Sequence, residues 1–299
     1  MIEIDNVTKV FDDIRALNGV SLSIQDNAIY GLVGTNGAGK STLMRIMSGV
    51  LKEDEGSLLI DGENVYNNVK IKENIFFIPD DYYSFPNATP KDMCRFYKKY
   101  YRNFDEELFY HLLDNFRLPP DRKLNSFSKG MQKQVNIVLA LAAKTKYIFC
   151  DETFDGLDPV MRQGVKSLLA ANLSERECTV VIASHNLREL EYISDHIGLL
   201  HRGGVLLSKD LDDMKLSIHK IQAIFNEKKE KEHFLDVDIL QLTQRGSLYT
   251  LVVRGEEEAI LKKLAKHNPL FIEALPLSLE EIFISETEVK GYDVKKLIF

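Results

Sequence analysis

The 299-residue chain has room for one large domain and a small one, or for two of moderate size. Hydrophobic residues make up 44% and charged residues 28%, the balance of an ordinary soluble globular protein, which argues against long disorder. Acidic residues number 45 against 38 basic ones, so the formal charge is −7, a poor footprint for a dedicated nucleic-acid binder.

MIEIDNVTKV and GVSLSI open the chain as two short strands. The start, MIEIDNVTKVF, carries acids and no apolar run, so a signal peptide is not expected. The longest stretch without Asp, Glu, Lys or Arg is Asn27–Gly39, 13 residues. A membrane span needs about 20 predominantly apolar residues, so none is expected here. Ile29–Val33 is a compact apolar run that leads straight into glycines. Leu43, Ile46, Met47 and Val50 then recur at i, i+3, i+4 and i+7, and that spacing predicts a helix. SLLIDGENV reads as a strand ending in an Asp-Gly turn. Pro90 to about Ala143 reads as mainly helical, with breaks at Pro119-Pro120 and around Gly130. Tyr147–Cys150 and Thr179–Ala183 are further short apolar runs with a helical segment between them. Strands alternating with helices predict a parallel sheet covered by helices. Cys94, Cys150 and Cys178 show no metal spacing and are expected as small buried hydrophobes in a reducing compartment.

A domain boundary is expected near residues 213–220. The charged run Glu227–His233 follows as a solvated loop or helix face. DILQLTQRGSLYTLVV reads as two strands around an Arg-Gly-Ser turn. A helix from about Glu256 to Lys266, a short strand and the helical LSLEEIFI complete a small α+β appendix.

Gly34-Thr35-Asn36-Gly37-Ala38-Gly39-Lys40-Ser41 fits the pattern G-x-x-x-x-G-K-[ST], between a strand and an amphipathic helix as that pattern requires. Glycines let the backbone curl so that its N–H groups point inward, and the helix adds its unpaired N–H groups and positive dipole end. Lys40 supplies a point charge to β and γ phosphates. The Ser41 hydroxyl suits Mg²⁺, with Thr42 a lesser neighbour. Asp151 emerges at the C-terminal end of the apolar run Tyr147–Cys150, where ligands sit in open parallel sheets, and is the second metal-side group. Glu152 is placed to polarise an attacking water.

Further along, Ser126-Phe127-Ser128-Lys129-Gly130-Met131-Gln132 precedes the Asp-Glu strand, Gly156-Leu157-Asp158-Pro159 follows it, and Ser184-His185 ends the next apolar strand. This ordered set resembles the ATP-binding subunits of ABC transporters, with their signature motif, D-loop and switch histidine. The resemblance covers about residues 1–215. Lys129 and Met131, in place of the commoner glycine and glutamine, resemble the branch of bacteriocin, antibiotic and peptide-toxin exporters. LSLEEIFI resembles the tail of ABC-2-type exporter ATPases, with YtrB-like and phenol-soluble-modulin exporter subunits as the nearest types.

The resemblance implies an α/β fold with a P-loop NTPase (RecA-like) core, an antiparallel β portion and a helical subdomain at about 85–143. Residues 216–299 would form a C-terminal accessory or dimerisation α+β domain. It implies ATP and Mg²⁺ as cofactors, and two copies, or a copy and a paralogous subunit, facing head to tail. Ser128, Lys129 and Gly130 of one chain would then meet the γ-phosphate on the other, with Asp158 at the seam. His185 would contact the γ-phosphate beside Glu152, and Phe11 would stack on adenine. The family usually carries a glutamine after the strand corresponding to IFFIP; Asp80 stands there instead, as an anionic candidate for Mg²⁺. The aromatic-rich segment after it occupies the region that in this family meets a membrane permease. The implied function is ATP hydrolysis driving export of amphipathic peptides or antimicrobial compounds from the inner face of the membrane. A non-transport ABC ATPase on ribosomes or DNA, or a regulatory ATP-binding module, stays open as an alternative.

Overall fold

Alternating apolar residues start the first sheet. β1 (Ile2–Phe11) and β2 (Ile14–Ile24) pair antiparallel, with Ile2 opposite Ile24 and Ile4 opposite Leu22. β3 (Ile29–Val33) is buried at all five positions, as a strand covered on both faces must be. The glycine loop follows, and α1 (Lys40–Met47) turns Leu43, Met44, Ile46 and Met47 inward. β4 (Glu55–Ile60) and β5 (Glu63–Asn64) flank a two-residue turn. Asp61 and Gly62 both have positive φ there, the geometry that a tight hairpin needs to match strand twist. α2 (Val69–Lys72) is capped by Asn68, and β6 (Ile75–Ile78) follows.

A helical segment comes next. α3 (Pro90–Tyr97) begins with Pro90 and a capping box between Thr89 and Asp92. α4 (Glu106–Asn115) is capped by Asp105, and α5 (Lys129–Ala142) by Ser128. Sequence reasoning expected a break around Gly130. The break lies instead at Phe127-Ser128, because the serine hydroxyl takes the Met131 N–H and starts the helix before the glycine. β7 (Tyr147–Asp151), α6 (Pro159–Glu175), β8 (Thr179–Ser184), α7 (Leu187–Glu191), β9 (His196–His201) and β10 (Gly204–Asp210) complete this part.

The computed structural model describes residues 1–81, 84–154, 157–191, 193–227 and 229–289. The chain divides into two units, Met1–Ser208 and Lys209–Phe299. In the first, a four-stranded antiparallel sheet has the order β2-β1-β4-β5 and a six-stranded sheet the order β10-β9-β3-β8-β7-β6. Within the larger sheet β6, β7, β8, β3 and β9 run parallel. Its core gathers Leu17, Leu43, Met44, Met47, Tyr147, Phe149 and Val181 between the sheets.

The second unit starts with α8 (Leu211–Ser217) and β11 (Ile218–Phe225). A short 3-10 turn, β12 (Asp238–Arg245), β13 (Leu248–Arg254), α9 (Glu257–Ala265), β14 (Pro269–Leu275) and α10 (Leu279–Val289) follow. Its antiparallel sheet has the order β12-β13-β11-β14, the split arrangement of a ferredoxin-like fold in which the first crossover carries only the 3-10 turn. Ile221, Phe225, Phe234, Tyr249, Leu251, Ile260 and Leu264 fill its core.

All three cysteines are buried, and burial pushes Cys94 up to about 11 and Cys150 up to about 12, so neither is a ready nucleophile. Among the described residues, no helix is long and apolar enough to cross a membrane.

Phe149 lies fully buried on β7 in the middle of the core. Phe149→Ala is expected to cost about 3–5 kcal/mol of stability, read as a lower urea midpoint.

Candidate functional site

Five parallel strands deliver the site. β3 aligns Val33 with Ser184 of β8, and β7 aligns Asp151 with Ala183 of β8. The residues that leave β3, β7 and β8 therefore emerge at one level of the sheet.

The loop after β3 is shaped by close approach. A side chain at Gly34 would meet the Leu200 carbonyl at 2.6 Å, and one at Gly39 the Ala16 carbonyl at the same distance. Gly39 also has φ +103°, which L side chains rarely adopt. Thr35, Asn36 and Gly37 form the exposed crest, and Ala38 is buried against it. The Ala38 N–H closes the loop on the Thr35 carbonyl at 3.0 Å.

Lys40, only 5% exposed, donates to the Gly34 carbonyl at 2.7 Å and stands 3.2 Å from Glu152 Oε1. The Ser41 hydroxyl donates to Asp151 Oδ1 at 3.1 Å, with Thr42 half-buried next to it. Asp151 is itself buried, and burial holds its carboxyl above the usual range; the Ser41 bond opposes that shift, and the Glu152 and Asp80 charges add to it. Glu152 Oε2 faces His185 Nδ1 at 2.9 Å, so one carboxylate bridges a lysine and a histidine. The Glu152 backbone has φ +47°; its N–H donates to the Ala183 carbonyl at 3.0 Å, and its own carbonyl accepts from Lys133 Nζ at 2.6 Å.

The structure thus brings together Lys40, Ser41, Asp151, Glu152 and His185. Asp80 joins from the end of β6, exposed, with Oδ1 3.6 Å from Lys133 Nζ. Other sequence candidates lie apart. Ser128 and Lys129 are exposed, and Gly130 half-buried, at the start of α5, where the Ser128 hydroxyl caps its own helix. Asp158 caps α6 by accepting from the Met161 N–H at 2.9 Å. Among the described residues, none of these hydrogen bonds reaches the glycine loop. Phe11 ends β1 with its ring 42% exposed. Gly156, Tyr82 and Tyr83, which belong to the D-loop and to the aromatic segment, lie outside the described residues.

Lys133 is one residue that sequence reasoning missed. Its signal was faint: it is the last charge on α5 before nine uncharged, buried positions, Gln134–Ala142. A second missed group is Glu189, buried on α7. It accepts from the Ser184 hydroxyl at 3.0 Å and stands 3.2 Å from Arg162 Nη2, tying the turn before His185 to α6.

The donor set suits a hard divalent cation. A hydroxyl and a buried carboxylate are the oxygen ligands that Mg²⁺ takes when phosphates and water supply the rest. Among the described residues, no group of three or more His, Cys, Asp or Glu is arranged to hold a metal alone.

The ABC transporter family model matches residues 17–155. The ABC transporter ATP-binding protein YtrB of Bacillus subtilis is 32% identical, over 96% of this chain and 98% of its own. The bacitracin transport ATP-binding protein BcrA of Bacillus licheniformis is 27% identical, over 99% of this chain and 96% of its own. Among solved structures, a dimeric bacterial ABC transporter cassette is 26% identical with a TM-score of 0.65, covering 71% of this chain and 99% of its own.

Burial makes an ionised Asp151 costly in the metal-free chain. Its folded value lies above its unfolded one, so the folded state loses stability as pH rises above the ordinary Asp value. Metal-free Asp151→Asn is therefore expected to melt at a higher temperature than the parent at neutral pH. The gap should close in acid, below the ordinary Asp value of 3.8. Thermal melts in a chelator across that range check it.

Proposed function

Because the chain belongs to the ATP-binding subunits of ABC transporters, we propose that its hydrolysis of ATP drives a separate membrane permease that exports amphipathic peptides or antimicrobial compounds. One observation carries the assignment of the chemistry: the Glu152 carboxylate stands between Lys40 at 3.2 Å and His185 at 2.9 Å, at the mouth of the glycine loop.

The loop N–H groups other than that of Ala38, which the Thr35 carbonyl takes, and the N-terminal turn of α1 bind the phosphates at the positive end of a helix dipole. Lys40 exchanges its carbonyl partners for β and γ oxygens. Ser41 and Asp151 would hold Mg²⁺, which would supply neutralisation of the phosphate charge. Glu152 takes the proton of the attacking water, and His185 keeps that carboxylate aimed. Phe11, exposed at the end of β1, offers its ring to adenine.

Ser128, Lys129, Gly130 and Asp158 are accounted for by a second chain. They are solvent-facing or half-buried at the starts of α5 and α6, where a partner's nucleotide can reach them. Two copies, or one copy and a paralogous subunit, would close head to tail over two nucleotides. The antibiotic and lantibiotic transport named for relatives such as BcrA and SrtF supports the substrate class. The working place is the cytoplasmic face of the membrane, held there by the permease. The C-terminal unit serves self-association or regulation rather than chemistry.

Glu152→Gln is expected to slow hydrolysis by about 10²–10⁴-fold, the scale of a lost general base, with ATP binding retained. The ATP-loaded mutant should accumulate as a dimer in size-exclusion chromatography. Parental turnover would place the base elsewhere. Lys40→Ala should lose ATP binding itself, measured by equilibrium titration with Mg²⁺–ATP. Removing the chain beyond residue 215 should leave nucleotide binding in place while weakening dimerisation or transport.

A further inference from the structure

Glu152 leaves β7 in a left-handed conformation, φ +47°. A residue with a side chain keeps such a backbone only where its neighbours hold it. Two hydrogen bonds do so here. The first, from its N–H to the Ala183 carbonyl, continues the pairing of β7 with β8 past the end of β7. The second comes from a side chain: Lys133 Nζ donates to the Glu152 carbonyl at 2.6 Å. That bond fixes the peptide plane on which the carboxylate depends for its direction toward Lys40 and His185.

Lys133 is 16% exposed, so its stem is packed and its ammonium is left with few water partners. A charge in that position needs a counter-ion. Asp80 is the acid within reach, with Oδ1 at 3.6 Å. It leaves the end of β6, the strand beside β7. The pair thus joins β6, α5 and the residue that ends β7.

We propose that Lys133 is a positioning residue for Glu152, and that Asp80 acts in this chain by holding Lys133 rather than by binding Mg²⁺. The acid that replaces the usual amide after β6 is then explained by the lysine opposite it. This inference rests on Glu152 as the base of the ATPase.

Steady-state hydrolysis tests it. Lys133→Met keeps the stem and removes the ammonium; kcat is expected to fall roughly 10–100-fold, the scale of an outer-shell partner, with KM for ATP nearly unchanged. Lys133→Arg restores a charged donor and should recover most of the rate. A packing role alone would be satisfied by methionine and would show no such rescue. Asp80→Asn should lower kcat in the parent and have no further effect in Lys133→Met, because the two act through one bond. The Mg²⁺ concentration giving half-maximal rate should stay at the parental value in Asp80→Asn. Three results would overturn the proposal: parental kcat in Lys133→Met, a full additive effect of Asp80→Asn in that background, or a raised Mg²⁺ requirement in Asp80→Asn. The last two would make Asp80 a metal ligand. Parental turnover in Glu152→Gln would instead remove the base assignment, so the two failures are told apart.

Discussion

A lysine and a glutamate that water scarcely reaches must neutralise each other, and the rest of the site is arranged around that need. Lys40 and Glu152 stand 3.2 Å apart, 5% and 11% exposed. A charge so placed is tolerated only when paired and hydrogen-bonded. Each end of the pair is anchored by backbone. Lys40 is the first residue of α1, pressed there by a loop whose glycines touch the Ala16 and Leu200 carbonyls. Glu152 is the first residue past β7, locked by its neighbours on β8 and α5. A nucleotide that enters with its own negative charge and a metal substitutes one balanced set of charges for another.

Most of this was legible in the sequence where spacing is set by backbone geometry. Gly34, Gly37, Gly39, Lys40 and Ser41 declared both the loop and the helix after it. Asp151 and Glu152 were readable because an apolar strand must end somewhere, and two acids mark where. What stayed hidden follows from the same logic. Lys133 sits on a helix, where a charge usually faces water, and only the fold turns it toward Glu152. β9, β10 and β11 carry histidines and lysines among short apolar runs, so their periodicity is too weak to stand out before their partners are known. Ser128, Gly130 and Asp158 are explicable in one chain merely as helix starts. Their order along the sequence speaks for a role that their contacts within a single chain do not express.

The second unit follows a different rule. Its strand β11 alternates, with Ile221, Ala223 and Phe225 on one side and Lys220, Gln222 and Ile224 on the other. Lys220 reaches across its face to Glu281 on α10. Helices thus lie against both faces of a small sheet.

The shared level of the strand ends bears on how this chain tolerates change in length. Val33, Asp151 and Ser184 lie within one register step of each other across three neighbouring strands. Substituting an apolar residue inside these strands alters only packing. Deleting one from β8 would draw His185 back by a single rise of about 3.3 Å and turn its ring to the opposite face of the sheet. No rotamer of histidine recovers that displacement. The three strands thus act as fixed rulers whose graduations cannot be lost one at a time.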